Sequence, residues 1–247
     1  MIEDEQQHSN PSLPETATAS GFLMRIKEAS RGLMPIILWI SILFASAGRL
    51  DWKRGWATSV IYVLTIIATG ALVRRFNPGL LSVRAKPNFK QTQSFDRLFY
   101  RIFLPLTFLQ IAVAGFDAVR FRWLPLPLWC ALPGVLLFLS AMGLICWVMA
   151  VNRFAESTVR IQSERNHAVV SSGPYRIVRH PMYVGMFLMY PATALMLGSG
   201  WAMAVAALIL ALILWRTARE DHFLLQNLQG YPEFATHTRY RLIPGLW

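Results

Sequence analysis

The sequence predicts an all-α integral membrane protein: about four transmembrane helices, then a membrane-embedded C-terminal helical hairpin. Three observations predict it. Of 247 residues, 55% are hydrophobic, and the mean hydropathy is +0.40. Only 15% are charged, where a soluble domain carries roughly 25%. Those charges fall in short stretches between apolar runs, as membrane crossings require.

Residues 1–31 read as a tail. Met1 to Ser20 are polar, with Pro11 and Pro14, and lack the basic and apolar regions of a signal peptide. Disorder is expected there, followed by a short interfacial helix over GFLMRIKEASR, Gly21 to Arg31. Residues 32–151 form the N-terminal transmembrane region, with apolar segments at Leu33–Gly48, Trp56–Val73, Leu98–Val119 and Leu126–Val151. The first is short against the ~20 residues of a full crossing. Trp39, Trp52 and Trp56 suit the interfaces.

Residues 152–247 form the C-terminal region. Its apolar arms, Tyr183–Leu197 and Trp201–Trp215, flank the turn Gly198-Ser199-Gly200. Each arm is about 22 Å of helix, marginal for a crossing, so a tilted or partly inserted hairpin is expected.

The net charge is +11. No basic run is interleaved with aromatics, so nucleic acid is not an expected partner. The charge instead reports orientation. With the N-terminus in the cytoplasm, eighteen Lys and Arg fall on that side. Five lie opposite: Arg49, Lys53, Arg54, Arg120 and Arg122. The positive-inside rule therefore predicts a multi-pass protein with its N-terminus and C-terminal region cytoplasmic. Cys130 and Cys146 stand 16 residues apart, roughly 24 Å along one helix. That is too far for a disulfide, and metal ligation by the pair is not expected.

Chemistry concentrates in Gly173 to Gly185, GPYRIVRHPMYVG. Polar and aromatic groups where a helix enters lipid are costly unless they bind something. Gly173-Pro174-Tyr175 is a turn signal. Pro181 disfavours helix at His180 and suits the first turn of the next helix, which is expected to leave backbone groups near His180 free for a ligand. Gly185 allows close approach by a ligand or a helix. Arg216 and Glu220 share one helix face at i, i+4 where the hairpin leaves the lipid, with Asp221 beside them. Plain alternatives stand for each. His180 suits helix entry, Tyr175 and Tyr183 suit interfacial aromatics, and Arg216 with Glu220 suits a surface pair worth a few tenths of a kcal/mol.

These residues resemble the isoprenylcysteine carboxyl methyltransferases and the wider group that includes phospholipid methyltransferases. The resemblance covers about Gln162 to Trp247. It rests on Gly173-Pro174-Tyr175, Arg179 to Gly185, Arg216 to Asp221, and the closing stretch Tyr231 to Gly245. It departs at Asp221, where the family usually has a second Glu.

The resemblance implies a cytosolic cofactor pocket for S-adenosyl-L-methionine and a lipophilic or prenylated acceptor entering from the membrane lipids. By matching positions, it implies cofactor contacts at Gln162, His167, Ala168, Val169, Val170, Tyr175, His180, Pro181, Met182, Tyr183 and Glu220. Arg216 and Glu220 would be catalytic, with Arg216 and Arg179 meeting the acceptor. The residues agree with this chemistry. A carboxylate acceptor is ionised at pH 7 and needs a cation rather than a base, and Arg offers a planar fork. O-methylation of an isoprenylcysteine-like carboxylate is the expected reaction. The alternatives are a phospholipid N-methyltransferase, an NADPH-dependent sterol-type membrane reductase, and a non-enzymatic scaffold.

Overall fold

A computed structural model describes residues 33–85 and 87–247. The tail and the interfacial helix expected over residues 1–31 lie outside them. The chain divides into two units, Met1–Trp39 and Ile40–Trp247; all packing described below lies within the second.

Eight α-helices are described: α1 Leu33–Ala47, α2 Lys53–Phe76, α3 Leu80–Arg84, α4 Ser94–Gly115, α5 Ala131–Val151, α6 Pro181–Leu197, α7 Gly200–Asn227 and α8 Tyr231–His237. A π-helical turn, Phe116–Arg120, extends α4, and 3-10 turns occupy Leu128–Cys130, Ser163–Arg165 and Gly173–Arg176. Among the described residues there is no β-strand, only a lone bridge between Pro125 and Ser199. Both cysteines are free.

Four helices are long and apolar enough to cross a membrane: Lys53–Phe76, Ser94–Arg120, Leu128–Val151 and Gly200–Asn227. Their outward faces carry exposed Leu64, Ile67, Leu132, Leu136 and Leu208, a surface that suits lipid and not water. The protein is a multi-pass integral membrane protein.

The set of long helices differs from the expected one in two ways. The first apolar segment, α1, has fifteen helical residues among those described. The second hairpin arm, expected to end near Trp215, continues as helix to Asn227, 28 residues in all. Polar side chains do not end the helix there because Arg216, Glu220 and Asp221 each find partners on neighbouring elements. The first arm, α6, has 17 residues, close to expectation.

Small residues let α5 and α6 lie close together. A Cβ on Gly134 would sit 2.9 Å from the Met196 nitrogen, and one on Gly185 would sit 3.2 Å from the Ala141 carbonyl oxygen. Of the two reasons for Gly185 weighed from sequence, the observed neighbour is a helix. Phe99, Phe103, Tyr183, Tyr190, Ile209 and Ile213 form a buried cluster where α4, α6 and α7 meet. Buried Gln110 of α4 donates to Tyr190 O of α6 at 2.9 Å.

The α6–α7 turn is held by charge, which its small, uncharged sequence did not announce. Gly198 takes φ +81°, as a helix C-terminus favours. Ser199 Oγ caps α7 by accepting from Ala202 N at 2.9 Å, and donates to buried Asp117 at 2.6 Å. Arg54 donates to the carbonyls of Leu195 at 2.5 Å, Met196 at 2.7 Å and Leu126 at 3.0 Å. It thereby satisfies two of the four orphan acceptors at the end of α6.

Candidate active site

At the opposite end of the hairpin, residues 152–180 run without long helix between α5 and α6. Side-chain hydrogen bonds replace helical ones there. Asn77, just past α2, donates Nδ2 to Met149 O at 2.9 Å, closing the end of α5. Asn152 accepts from Phe154 N at 2.8 Å and donates Nδ2 to the Tyr175 hydroxyl at 2.6 Å. The Tyr175 oxygen is an acceptor in that bond, so its own proton remains to be donated. Burial pushes the Tyr175 phenol well above its ordinary range, which keeps that proton in place. Tyr175 sits in the expected turn, with Gly173 at φ +59° and Pro174 at the start of the 3-10 helix.

Pro181 occupies the first turn of α6, as expected. The backbone before it is not free. Arg179 N donates to Tyr240 O at 2.9 Å and His180 N to Arg241 O at 3.0 Å. The expectation that these groups await a ligand is corrected: the closing tail pairs with them, because an unpaired N–H away from water is costly.

Asp221 is the hub beneath this turn. Its side chain is fully buried. Oδ1 lies 3.1 Å from Arg179 Nη1, 3.1 Å from His180 Nε2 and 3.0 Å from the Tyr231 hydroxyl, and Oδ2 accepts from Arg241 Nε at 2.8 Å. One carboxylate thus joins α6, α7, α8 and the tail. Burial and the Asp221 carboxylate together raise the Tyr231 phenol well above its ordinary value.

Arg216 and Glu220 do not pair with each other. Arg216 is 4% exposed. Its Nη2 lies 2.8 Å from Asp96 Oδ1 and donates to Ser157 O at 2.8 Å. Its guanidinium carbon stands 4.3 Å from the Phe99 ring centroid and 5.4 Å from that of Tyr183. Asp96 is fastened in turn by Val159 N and Thr92 Oγ1, each at 2.8 Å. Arg216 Nε is buried without a hydrogen-bond partner. Glu220 accepts from the Tyr183 hydroxyl. A plain i, i+4 surface pair is therefore not what this spacing built.

These groups surround a cavity of about 390 Å³. Of the expected site residues, Gln162, His167, Ala168, Val169, Val170, Tyr175, Arg179, His180, Met182, Tyr183, Arg216 and Glu220 line it. Pro181 does not; its part is to start α6. Gln162 is 1% exposed. It donates to Phe154 O and accepts from Arg165, both at 2.8 Å. His167 rests on Phe154, ring centroids 4.6 Å apart, and accepts from Gln162 N at 3.4 Å. Burial lowers its pKa from 6.5, so the ring is neutral at pH 7.

The cavity has two characters. The end bounded by Asn152, His167, Tyr175 and Glu220 is polar. The other runs between the spans, lined by Ile66 of α2, Phe103 of α4, Met142 and Ile145 of α5, and Met186 and Met189 of α6. Sequence reasoning missed Asp96, Asn152 and Arg84, all of which lie upstream of Gln162. Asp96 was the most findable, as an acid in the first turn of an apolar helix.

Residues 129–229 match the family profile described as "Phospholipid methyltransferase". Over 94 residues the chain is 29% identical to Protein-S-isoprenylcysteine O-methyltransferase B of Arabidopsis thaliana, covering 36% of this chain and 46% of that protein. It is 33% identical over 89 residues to Protein-S-isoprenylcysteine O-methyltransferase of Schizosaccharomyces pombe, covering 31% and 34%. It is 39% identical over 80 residues to Cobalt-zinc-cadmium resistance protein CzcN of Cupriavidus metallidurans, covering 32% and 36%. The chain thus spans between about a third and a half of these relatives. The family uses S-adenosylmethionine as methyl donor and acts on lipophilic substrates.

Proposed function

We propose, on the premise that residues 129–229 belong to the family of phospholipid and isoprenylcysteine membrane methyltransferases, that this protein methylates the carboxylate of a lipophilic, isoprenylcysteine-like acceptor. The observation that carries the reading is the single cavity with a polar end at Glu220 and an apolar end between membrane spans.

The residues present fit S-adenosylmethionine. Glu220 has no cation within ion-pair distance among the described residues, its hydrogen bond coming from the neutral Tyr183 phenol. A partly buried carboxylate left this way favours a cationic ligand. When bound, S-adenosylmethionine supplies a sulfonium methyl: a C–O bond forms to the carboxylate, the S–CH3 bond breaks with its pair left on sulfur, and a thioether and an ester result.

No proton moves in that reaction, so the protein's task is alignment and charge. Tyr183 holds Glu220 in one rotamer, and Tyr175 offers a hydroxyl donor. Arg216, held by Asp96 and Ser157, keeps an unpaired Nε for the acceptor. His167 to Val170 supply a wall for the adenosine end. A phospholipid amine is the second reading, supported by the family description; it would need a proton acceptor, which Glu220 could supply. The active site is proposed to face the cytoplasm, with the N-terminus on the same side, from the distribution of Lys and Arg.

The test is calorimetry of S-adenosylhomocysteine on detergent-purified protein, beside Glu220→Gln and Tyr183→Ala, with NADPH as control ligand. Micromolar binding weakened by both substitutions, with no binding of NADPH, is expected. Well-folded protein that ignores S-adenosylhomocysteine would remove the reading. Transfer of a labelled methyl group to N-acetyl-S-farnesylcysteine, and not to phosphatidylethanolamine, separates the two acceptors.

A further inference from the structure

Four arginines line the cavity: Arg84, Arg160, Arg179 and Arg216. Three are matched by carboxylates. Arg160 lies 2.7 Å from Glu156 and 2.6 Å from Glu164, Arg179 lies 3.1 Å from Asp221, and Arg216 lies 2.8 Å from Asp96. Arg84 has no carboxylate partner among the described residues. Its hydrogen bond is from Nη1 to the Ala155 carbonyl at 2.6 Å. Two carboxylates line the same cavity, Glu156 and Glu220. Arg160 neutralises Glu156, while Glu220 meets no cation.

Among the described residues, Arg84 is thus the lining arginine with no carboxylate beside it, and Glu220 the lining carboxylate with no cation beside it. A charge out of water without a counter-ion costs several kcal/mol. Burial accordingly pulls the Arg84 pKa below its ordinary value. The two free charges complement the two reactants of the proposed reaction. The donor is cationic at its sulfonium and at its amino group and suits Glu220; a carboxylate acceptor is an anion and needs a free cation. Arg216 does not provide one, because Asp96 already cancels its charge.

Position supports the assignment. Arg84 hangs on the Ala155 carbonyl and Arg216 on the Ser157 carbonyl, two residues along the same irregular segment. The two guanidinium groups thus border the cavity from neighbouring points. Arg84 comes from α3, between the first two long spans, outside residues 129–229.

We infer that Arg84 binds an oxyanion of the acceptor, a carboxylate or a phosphate, whose apolar chain occupies the arm between α4, α5 and α6. This rests on reading the cavity as the methyl-transfer site. It assigns Arg84 the acceptor's charge, and it leaves Arg216 a hydrogen-bond donor with no net charge to offer.

Binding tests it on the full chain in detergent, with S-adenosylhomocysteine measured in parallel. The probes are N-acetyl-S-farnesylcysteine against its neutral methyl ester, and dihexanoyl phosphatidylethanolamine against dihexanoylglycerol. Wild type is expected to prefer the member that carries the oxyanion in one pair by roughly tenfold or more, as for a charge-assisted hydrogen bond. The pair that shows it tells carboxylate from phosphate. Arg84→Gln should abolish that preference while S-adenosylhomocysteine affinity stays within about twofold, and Arg84→Lys should restore part of it. An Arg84→Gln protein that keeps the full preference overturns the proposal, as does a wild type with no preference in either pair. Should Arg84→Gln not fold, Arg84→Met decides by the same criterion. Should wild type bind the anions through Arg84 but not S-adenosylhomocysteine, the anion site stands and the methyltransferase reading falls.

Discussion

The Tyr183 phenol of α6 donates to the Glu220 carboxylate of α7, and the Tyr183 ring also lies 5.4 Å from the Arg216 guanidinium carbon. One side chain therefore touches both members of the i, i+4 pair while keeping them from meeting each other. Tyr183→Phe removes the hydrogen bond and keeps the ring. S-adenosylhomocysteine affinity is expected to fall about tenfold, the size of one hydrogen bond to a charged group. Thermal stability should change little by comparison. Unchanged affinity in calorimetry would separate Glu220 from donor binding.

Asp221 of α7 gathers three basic side chains and a phenol from the turn before α6, from α8 and from the tail. Asp221→Asn leaves Arg179 and Arg241 without their carboxylate. Breaking a buried ionic network costs about 3–5 kcal/mol. A drop in melting temperature of roughly 10 °C in detergent is expected, with faster proteolysis of residues 239–247. Protection of that stretch as in wild type would show that Asp221 does not hold the tail.

The Asp96–Arg216 contact joins α4 to α7 at 2.8 Å. Each single alanine leaves the other charge buried alone, whereas the double variant removes both. The double-mutant cycle should therefore show a coupling of about 1–3 kcal/mol in unfolding free energy. Additive losses would mean the two charges are solvated separately.

His167 gives a pH dependence whose sign follows from its lowered pKa. The unfolded chain protonates the ring near 6.5, the folded protein only at lower pH. Between those values the unfolded state binds more protons, so stability falls as pH falls. The contribution is complete above about pH 6.5 and is lost as pH drops through the folded-state pKa. Melting temperature measured from pH 7.5 to pH 5 should decline more steeply for wild type than for His167→Asn. Parallel curves would remove His167 as the cause.

Local signals carried much of this. Gly173-Pro174-Tyr175 made its turn, Pro181 began its helix, and Arg216 and Glu220 share one helix, because each depends on residues within a few positions. Partners did not follow from local spacing. Asp96 meets Arg216 across 120 positions of chain, and no periodicity couples them. Arg54 ends α6 from α2, and Arg84 reaches the cavity from a five-residue helix. Helix length at α7 was underestimated for the same reason. Hydropathy ends at Trp215, but a helix continues where its polar side chains are satisfied.

The apolar stretch of α7, Gly200 to Trp215, is about 24 Å long at 1.5 Å per residue. The hydrocarbon of a bilayer is about 30 Å thick. An apolar stretch shorter than the hydrocarbon of its bilayer draws the lipid thinner around it or sinks the polar end of its helix. The Arg216–Glu220 level of the cavity therefore lies at or beneath the headgroup plane, and an amphiphile can present its head there while its chain stays in the leaflet. On the proposed methyltransferase reading, turnover should then follow acyl-chain length in reconstituted membranes, rising in thin bilayers and falling in thick ones, and membrane thickness would itself be a control on this protein.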